Sequence, residues 1–359
     1  MNTLDLYSVD RMDALRERQD ELADLAAEDL IRHPELVPVI NSWERLPANA
    51  PDTFPPSLLR YVAFFHQPPP EVDPIVIRQT QRFFEKNASL VLSLLGFYSL
   101  PFTYAFADGA EVLVRSKRIL ENPGKRLAET ALFVMECYRP QAFIEETGVL
   151  AVIAKVRLIH ALSRLFIRKY ARDWNPSWGK PINQEDMLAT NLTFSLLVCR
   201  GMERSGVRVS TSEREGMLGY WGLIGYYLGI DPAYLPENSK QAFELERLIR
   251  KRHLKASVAG KQLIQSLLGF YRRELLRPEL SPLLEAILAH YLGPEVGAVL
   301  AIRTNTPIPD RVFYFLLNSG LFGLGKSPSR YALLYKQFLI ETKKSLGSEP
   351  RLSLPLLTR

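Results

Sequence analysis

The chain has 359 residues, 47% of them apolar and 23% charged, which is ordinary globular composition with material for one large helical domain or two medium ones. The net charge is +6, with both signs mixed along the chain; this suits an anionic ligand or a membrane surface and makes no case for nucleic acid. Two cysteines, Cys137 and Cys199, sit in apolar helical patterns with no CxxC or Cys/His spacing, which argues against a zinc centre and a disulfide framework.

The first residues show no basic segment followed by an apolar one, and no apolar run reaches the length of a membrane span, so a cytoplasmic protein is expected. Residues 10–33 read as one helix with Asp10 as a cap. A proline-rich stretch follows, with a short helix at 57–66; His33 and His66 fall at helix ends beside prolines and suit capping or surface roles. Residues 73–95 are amphipathic, and the chain is expected to break at Gly96-Phe-Tyr-Ser-Leu-Pro101. The segment 102–118 is mostly apolar, with Asp108 and Glu111 embedded in it.

The next helix, 126–138, carries Arg126, Glu129 and Thr130 at i, i+3 and i+4, hence on one face. Within 147–172, Val152, Val156, Ile159, Ser163 and Ile167 recur at helical spacing, and His160 falls on that face. Lys155, Arg157, Arg164, Arg168 and Lys169 flank it. An imidazole among apolar neighbours with cations around it matches the needs of haem, which takes a nitrogen ligand on iron and positive charge for its propionates. A core histidine on a basic helix gives the same pattern.

Asn183, with Asp186 three residues on, reads as an N-cap for a helix running to about Glu203. Ser210 or Thr211 starts another helix, and Leu235-Pro236-Glu237-Asn238 opens the one after. Residues 239–274 read as helical and strongly basic, either a solvated face or a peripheral surface for acidic lipid. Helices at 281–291, 295–303, 309–319 and 328–345 complete an all-α chain without strands or repeats. Gly320-Leu-Phe-Gly-Leu-Gly-Lys-Ser327 fits a phosphate-loop pattern but lacks the βαβ context that loop needs. Gly219-Tyr-Trp-Gly-Leu-Ile-Gly225 reads as a close-packing helix pattern rather than a dinucleotide loop. The histidine spacings do not suit a carboxylate di-iron bundle.

Four segments taken together carry a resemblance. They are Arg126-Leu-Ala-Glu-Thr-Ala131, Val156-Arg-Leu-Ile-His-Ala161, Gly179-Lys-Pro-Ile-Asn-Gln-Glu-Asp186 and Tyr220-Trp-Gly-Leu-Ile-Gly-Tyr-Tyr-Leu-Gly-Ile230. In this order and spacing the chain resembles the catalytic domain of the rubber oxygenase (latex clearing protein) and MpaB oxygenase family over roughly residues 75–240. The resemblance implies a single large helical domain with a globin-like core around haem b, the core at 73–240, a wrapping segment at 1–72 and a C-terminal helical extension at 241–359.

It also implies His160 as the iron ligand, with Arg157, Arg164 and Arg126 as cationic partners of the cofactor. Arg126 and Thr130 match the family's distal Arg-x-x-Lys-Thr segment, 160 − 126 = 34 residues before the ligand, while Glu129 stands where the family has Lys. Arg126 would hold a propionate or polarise bound oxygen, and Thr130 would donate a hydrogen bond to that oxygen. Glu111 lies nearest the family's acidic residue, one position off.

The expected reaction is O₂-dependent cleavage of a C=C bond in a small apolar or prenylated molecule. Phe97, Phe102, Phe106, Phe133 and Phe194 are candidates for the hydrocarbon wall. The alternatives are peroxide-driven haem chemistry, with Glu129 or Glu111 as acid–base group, and a non-catalytic haem- or lipid-binding protein.

Overall fold

The computed structural model describes residues 7–51, 53–69, 72–275, 281–302 and 331–355. Their order is α1 (Val9–Arg16), α2 (Glu21–Arg32), α3 (Leu36–Asn41), α4 (Pro56–Phe64) and α5 (Pro74–Leu94). A π turn (Leu95–Ser99) leads to α6 (Leu100–Tyr104), α7 (Ala107–Arg115), α8 (Arg118–Glu121), α9 (Pro123–Cys137) and α10 (Gly148–Tyr170). Then come α11 (Gln184–Phe194), α12 (Leu196–Arg204), α13 (Thr211–Tyr227), α14 (Ser239–His253) and α15 (Val258–Phe270). A second π turn (Tyr271–Leu275), α16 (Ser281–Val299) and α17 (Tyr331–Leu346) complete the series. The architecture is all-α; the described residues hold only two isolated β-bridges, Phe106 with Leu254 and Ala142 with Glu146. None of the described helices is long and apolar enough to cross a membrane. The phosphate-loop pattern at Gly320–Ser327 and the expected helix at 309–319 lie outside the described residues.

Local chemistry explains most element ends. Asn183 accepts from the Asp186 backbone N–H, Ser210 and Glu213 form a reciprocal capping box, and Asn238 caps α14. Three expected single helices are pairs. Asp20 accepts from the Ala23 N–H and starts α2 afresh, while Ser8 rather than Asp10 caps α1. Ser195, at φ −107 and ψ −80, separates α11 from α12, its hydroxyl donating to the Asn191 carbonyl at 3.0 Å. Ser257 caps α15 and divides the basic 239–274 stretch.

The expected break at residues 96–101 is instead a wide turn within a continuing helix. Pro101 brings no N–H, and the Leu100 N–H reaches back to Leu95, five residues away. Gly293, at φ 75, and Pro294 kink α16 where two helices were expected.

Helix α2 packs on α10 and α4, α13 on α5, and α15 on α7. The buried side of α10 is Ile153, Ala154, Leu158 and Ala161. The Tyr220-Trp221 segment belongs to the core. Tyr138 stacks on Phe84 at 4.1 Å and on Tyr220 at 4.9 Å, and Trp221 Nε1 donates to the Tyr138 hydroxyl at 3.0 Å. Of the three glycines there, only Gly225 is closely packed: a Cβ would lie 2.8 Å from Asn191, whereas Gly219 and Gly222 have nothing within 4 Å. His33 pairs with Glu35 and His66 meets the Pro47 carbonyl, both as surface residues.

Candidate functional site

A cavity of about 720 Å³ lies among the first π turn, α7, α9, α10, α11, the second π turn and α17. That volume falls in the range of small-molecule and cofactor sites. Its wall is mainly apolar and includes Phe97, Phe106 and Phe194; Phe102 and Phe133 are not in the wall and serve as core. Helix α17 closes one side with Phe338, Glu341 and Thr342, a contribution no motif announced.

His160, Arg126 and Thr130 come together on this wall. Helical spacing carries Ile159, His160 and Ser163 to the cavity side of α10. Burial, reinforced by Arg164 and Arg126, pushes the His160 imidazole down to about 3, so the ring is neutral at physiological pH. Its Nδ1 is buried and without a hydrogen-bond partner. The Arg126 guanidinium donates to Thr130 Oγ1 at 3.1 Å, and Thr130 passes its own proton to the Arg126 carbonyl at 3.0 Å. Thr130 therefore holds Arg126 in place, and its proton is not free for a ligand.

Glu129 does not line the cavity. It is buried behind Arg126, 4.0 Å from that guanidinium, and accepts from Arg118 at 2.7 Å. Arg118, on the short α8, does reach the wall. Two guanidiniums thus share one carboxylate, and burial together with Arg118 lowers the pKa of Arg126.

Three expected site residues are elsewhere. Arg157 forms two bonds to Asp20, at 2.6 and 2.8 Å, and lies 4.4 Å over the Phe64 ring. Arg164 donates to Asp24 at 2.6 Å. Neither lines the cavity, because both guanidiniums are buried against α2 on another side of α10. Glu111 pairs with Arg115, which also meets Asp173 and the Trp178 ring, and it does not line the cavity.

A buried charge network meets the wall at Asp186. Arg16 reaches Asp186 at 3.3 Å, Glu185 at 3.4 Å and Asp108 at 3.8 Å. His253 bridges Asp108 (3.3 Å) and Glu185 (3.0 Å); Arg252 and Lys255 pair with Glu185 and Asp108 from outside. Burial alone would raise the Asp108 and Glu185 carboxyls, but the bonds from His253 and its cationic neighbours hold both low. Those carboxylates raise His253 against its burial. At Asp186 burial outweighs Arg16 and His253, and the carboxyl is pushed up to about 6. The Asn183–Asp186 spacing was legible as a cap, but nothing local showed that the capped residue's side chain borders a cavity.

Part of the basic 239–274 stretch is paired within the protein. Arg247 pairs with Glu244, Arg250 with Glu246 and Glu295, Arg252 with Asp13 and Glu185, and Arg272 with Glu285. Among the described residues no cluster of three His, Cys, Asp or Glu side chains is arranged to hold a bare metal ion.

Comparison with known proteins agrees with this architecture. The chain is 25% identical over 304 residues to the rubber oxygenase of Streptomyces sp. (strain K30), covering 82% of this chain and 72% of the relative. Its fold matches a structure of latex clearing protein in the closed state with a TM-score of 0.71, at 23% identity, over 92% of this chain and 90% of that one. Residues 84–317, about two thirds of the chain, match the model described as ER-bound oxygenase mpaB/B′/rubber oxygenase, catalytic domain. The chain therefore belongs to this family of oxygenase catalytic domains.

Proposed function

We propose that the protein is a haem b-dependent oxygenase that acts on the C=C bond of a small apolar molecule with O₂ as oxidant. The observation that carries this reading is His160, a neutral imidazole on the wall of an otherwise mainly apolar cavity. A neutral imidazole is the form that ligates iron.

The residues fit the group. His160 would be the protein's ligand to iron, and Arg126, held by Thr130 and incompletely neutralised by Glu129, would pair with an anionic group of the cofactor. Bound there, haem would supply the activation of O₂ that no side chain can provide. The apolar wall excludes water and orients an alkene. Glu129 keeps the charge beside Arg126 and Arg118 from rising to two.

The test is the absorption spectrum of protein expressed with haem supplied, beside His160→Ala. A Soret band that is lost or altered in the variant is expected. A stably folded protein without the band would sink the reading; salt-sensitive liposome binding by such a protein would instead point to a lipid-binding module. Assays under isotopic O₂ then separate cleavage, which gives paired carbonyls labelled from O₂, from peroxide-driven oxidation, which does not.

A further inference from the structure

We propose that Asp186 is the head-group site of the cavity: the molecule bound there is an apolar chain bearing a hydroxyl, and that hydroxyl donates to Asp186 Oδ1. The inference rests on reading the cavity as the substrate chamber, and it narrows the substrate from a hydrocarbon to an alcohol.

Most hydroxyl protons on the wall are already committed. Ser93, Thr103, Ser116, Thr130, Ser163 and Thr193 line the cavity, and each hydroxyl already donates to a main-chain carbonyl, at 2.7 to 3.0 Å. Their protons are spent, so the wall is less polar than its composition suggests. Two further wall carboxylates, Glu274 and Glu341, are exposed and half-exposed, where water competes for them.

Asp186 differs. Its side chain is 21% exposed, and each oxygen has one side-chain donor: Arg16 on Oδ1 at 3.3 Å and Asn183 on Oδ2 at 2.9 Å. An ionised carboxylate accepts about four hydrogen bonds, so acceptor capacity remains. The neighbouring wall residue of α7 is Gly109, where a Cβ would lie 3.7 Å from Oδ1. Any side chain at that position would stand beside the oxygen; glycine leaves the approach open.

The charges around Asp186 select the kind of head. Asp186 pairs with Arg16 from α1 and feels the charges of His253 from α14 and Glu185 beside it; one step further out, Arg252 pairs with Glu185, and His253 and Lys255 pair with Asp108. Arg16 and His253 already supply positive charge to this carboxylate, so an ammonium head would meet like charge. A neutral donor gains a charge-assisted hydrogen bond without that repulsion. Such a bond also offsets part of the burial cost that holds the carboxyl up at about 6.

The experiment compares binding of geraniol and its deoxy hydrocarbon, by displacement of a fluorescent apolar probe, in wild type, Asp186→Leu and Gly109→Ala. It is run on haem-free and haem-supplied protein. Geraniol should bind wild type about tenfold or more tightly than the hydrocarbon. Asp186→Leu should abolish that preference while keeping hydrocarbon affinity. Gly109→Ala, which leaves the charge network intact, should shrink the preference, and it carries the test if the first variant does not fold. Equal affinities in wild type, failure of both ligands to bind, or a preference that survives in both variants would overturn the inference. The preference without haem uptake would refute the cofactor reading and leave this one standing; haem uptake without the preference would do the reverse.

Discussion

Helix α10 presents two polar faces built on opposite principles. Towards α2, Arg157 and Arg164 are buried and paired with Asp20 and Asp24. Towards the cavity, His160 lines the wall as a neutral imidazole. The first face holds the helix in place, since a buried charge is tolerable only with its counter-charge. The second carries a neutral nitrogen heterocycle on the wall of a mainly apolar cavity. Cationic residues beside a histidine were therefore no guide to the cofactor: the charges belong to the scaffold and the neutral group to the site.

The largest effect should come from breaking the paired face. Asp20→Ala or Arg157→Ala leaves an uncompensated buried charge and should cost about 3–5 kcal/mol in urea unfolding. The double variant should cost less than the sum of the two, revealing their coupling.

Next comes pH, read on the second network. The Asp186 carboxyl is raised in the folded state, so its contribution to stability is present below its unfolded pKa and is lost as pH rises towards about 6. Asp108 and Glu185 are held low and act in the opposite sense: their contribution is present at neutral pH and lost as pH falls through their folded values. Denaturant titrations from pH 4 to 7 should show Asp186→Asn flattening the decline by about 1–3 kcal/mol, on the scale of 1.36 kcal/mol per pKa unit. A decline unchanged by that variant would remove Asp186 as the titrating group.

On the cavity face the changes should be small. His160→Leu should alter stability by no more than about 1 kcal/mol, because no protein hydrogen bond to Nδ1 is lost. A loss as large as that of Arg157→Ala would make His160 a scaffold residue and erase the contrast between the faces. Ser163→Ala should be smallest, within about 0.5 kcal/mol, since its hydroxyl only returns to the Ile159 carbonyl of its own helix.

What was legible in the sequence follows from the range of the forces involved. Caps at Asn183, Ser210 and Asn238 are settled within three residues, and the all-α class follows from periodicity. The breaks at Asp20, Ser195 and Ser257 were hidden because no proline or glycine marks them and a single side chain bonds the backbone at each. Arg126, Thr130 and His160 were named together by the family resemblance, and all three line the cavity. Arg157 and Arg164 could not be assigned from charge alone, since Asp20 and Asp24 lie 137 and 140 residues away in sequence. Asp186 looked like the far end of a cap, and its exposure to the cavity depends on a glycine in another helix.

The spread of the cavity wall along the chain, from Leu92 to Leu346, has a consequence for biosynthesis. Domains begin to fold from the N-terminal side as they are made. When a ribosome has delivered His160 and its two paired arginines, the wall still lacks Phe270, Tyr271 and the face of α17 that carries Phe338 and Thr342. The chamber is open through most of translation and closes only when α17 docks. Loading of any large ligand therefore has a natural window before that docking, and truncation ahead of Tyr331 should leave a folded core unable to retain what it binds.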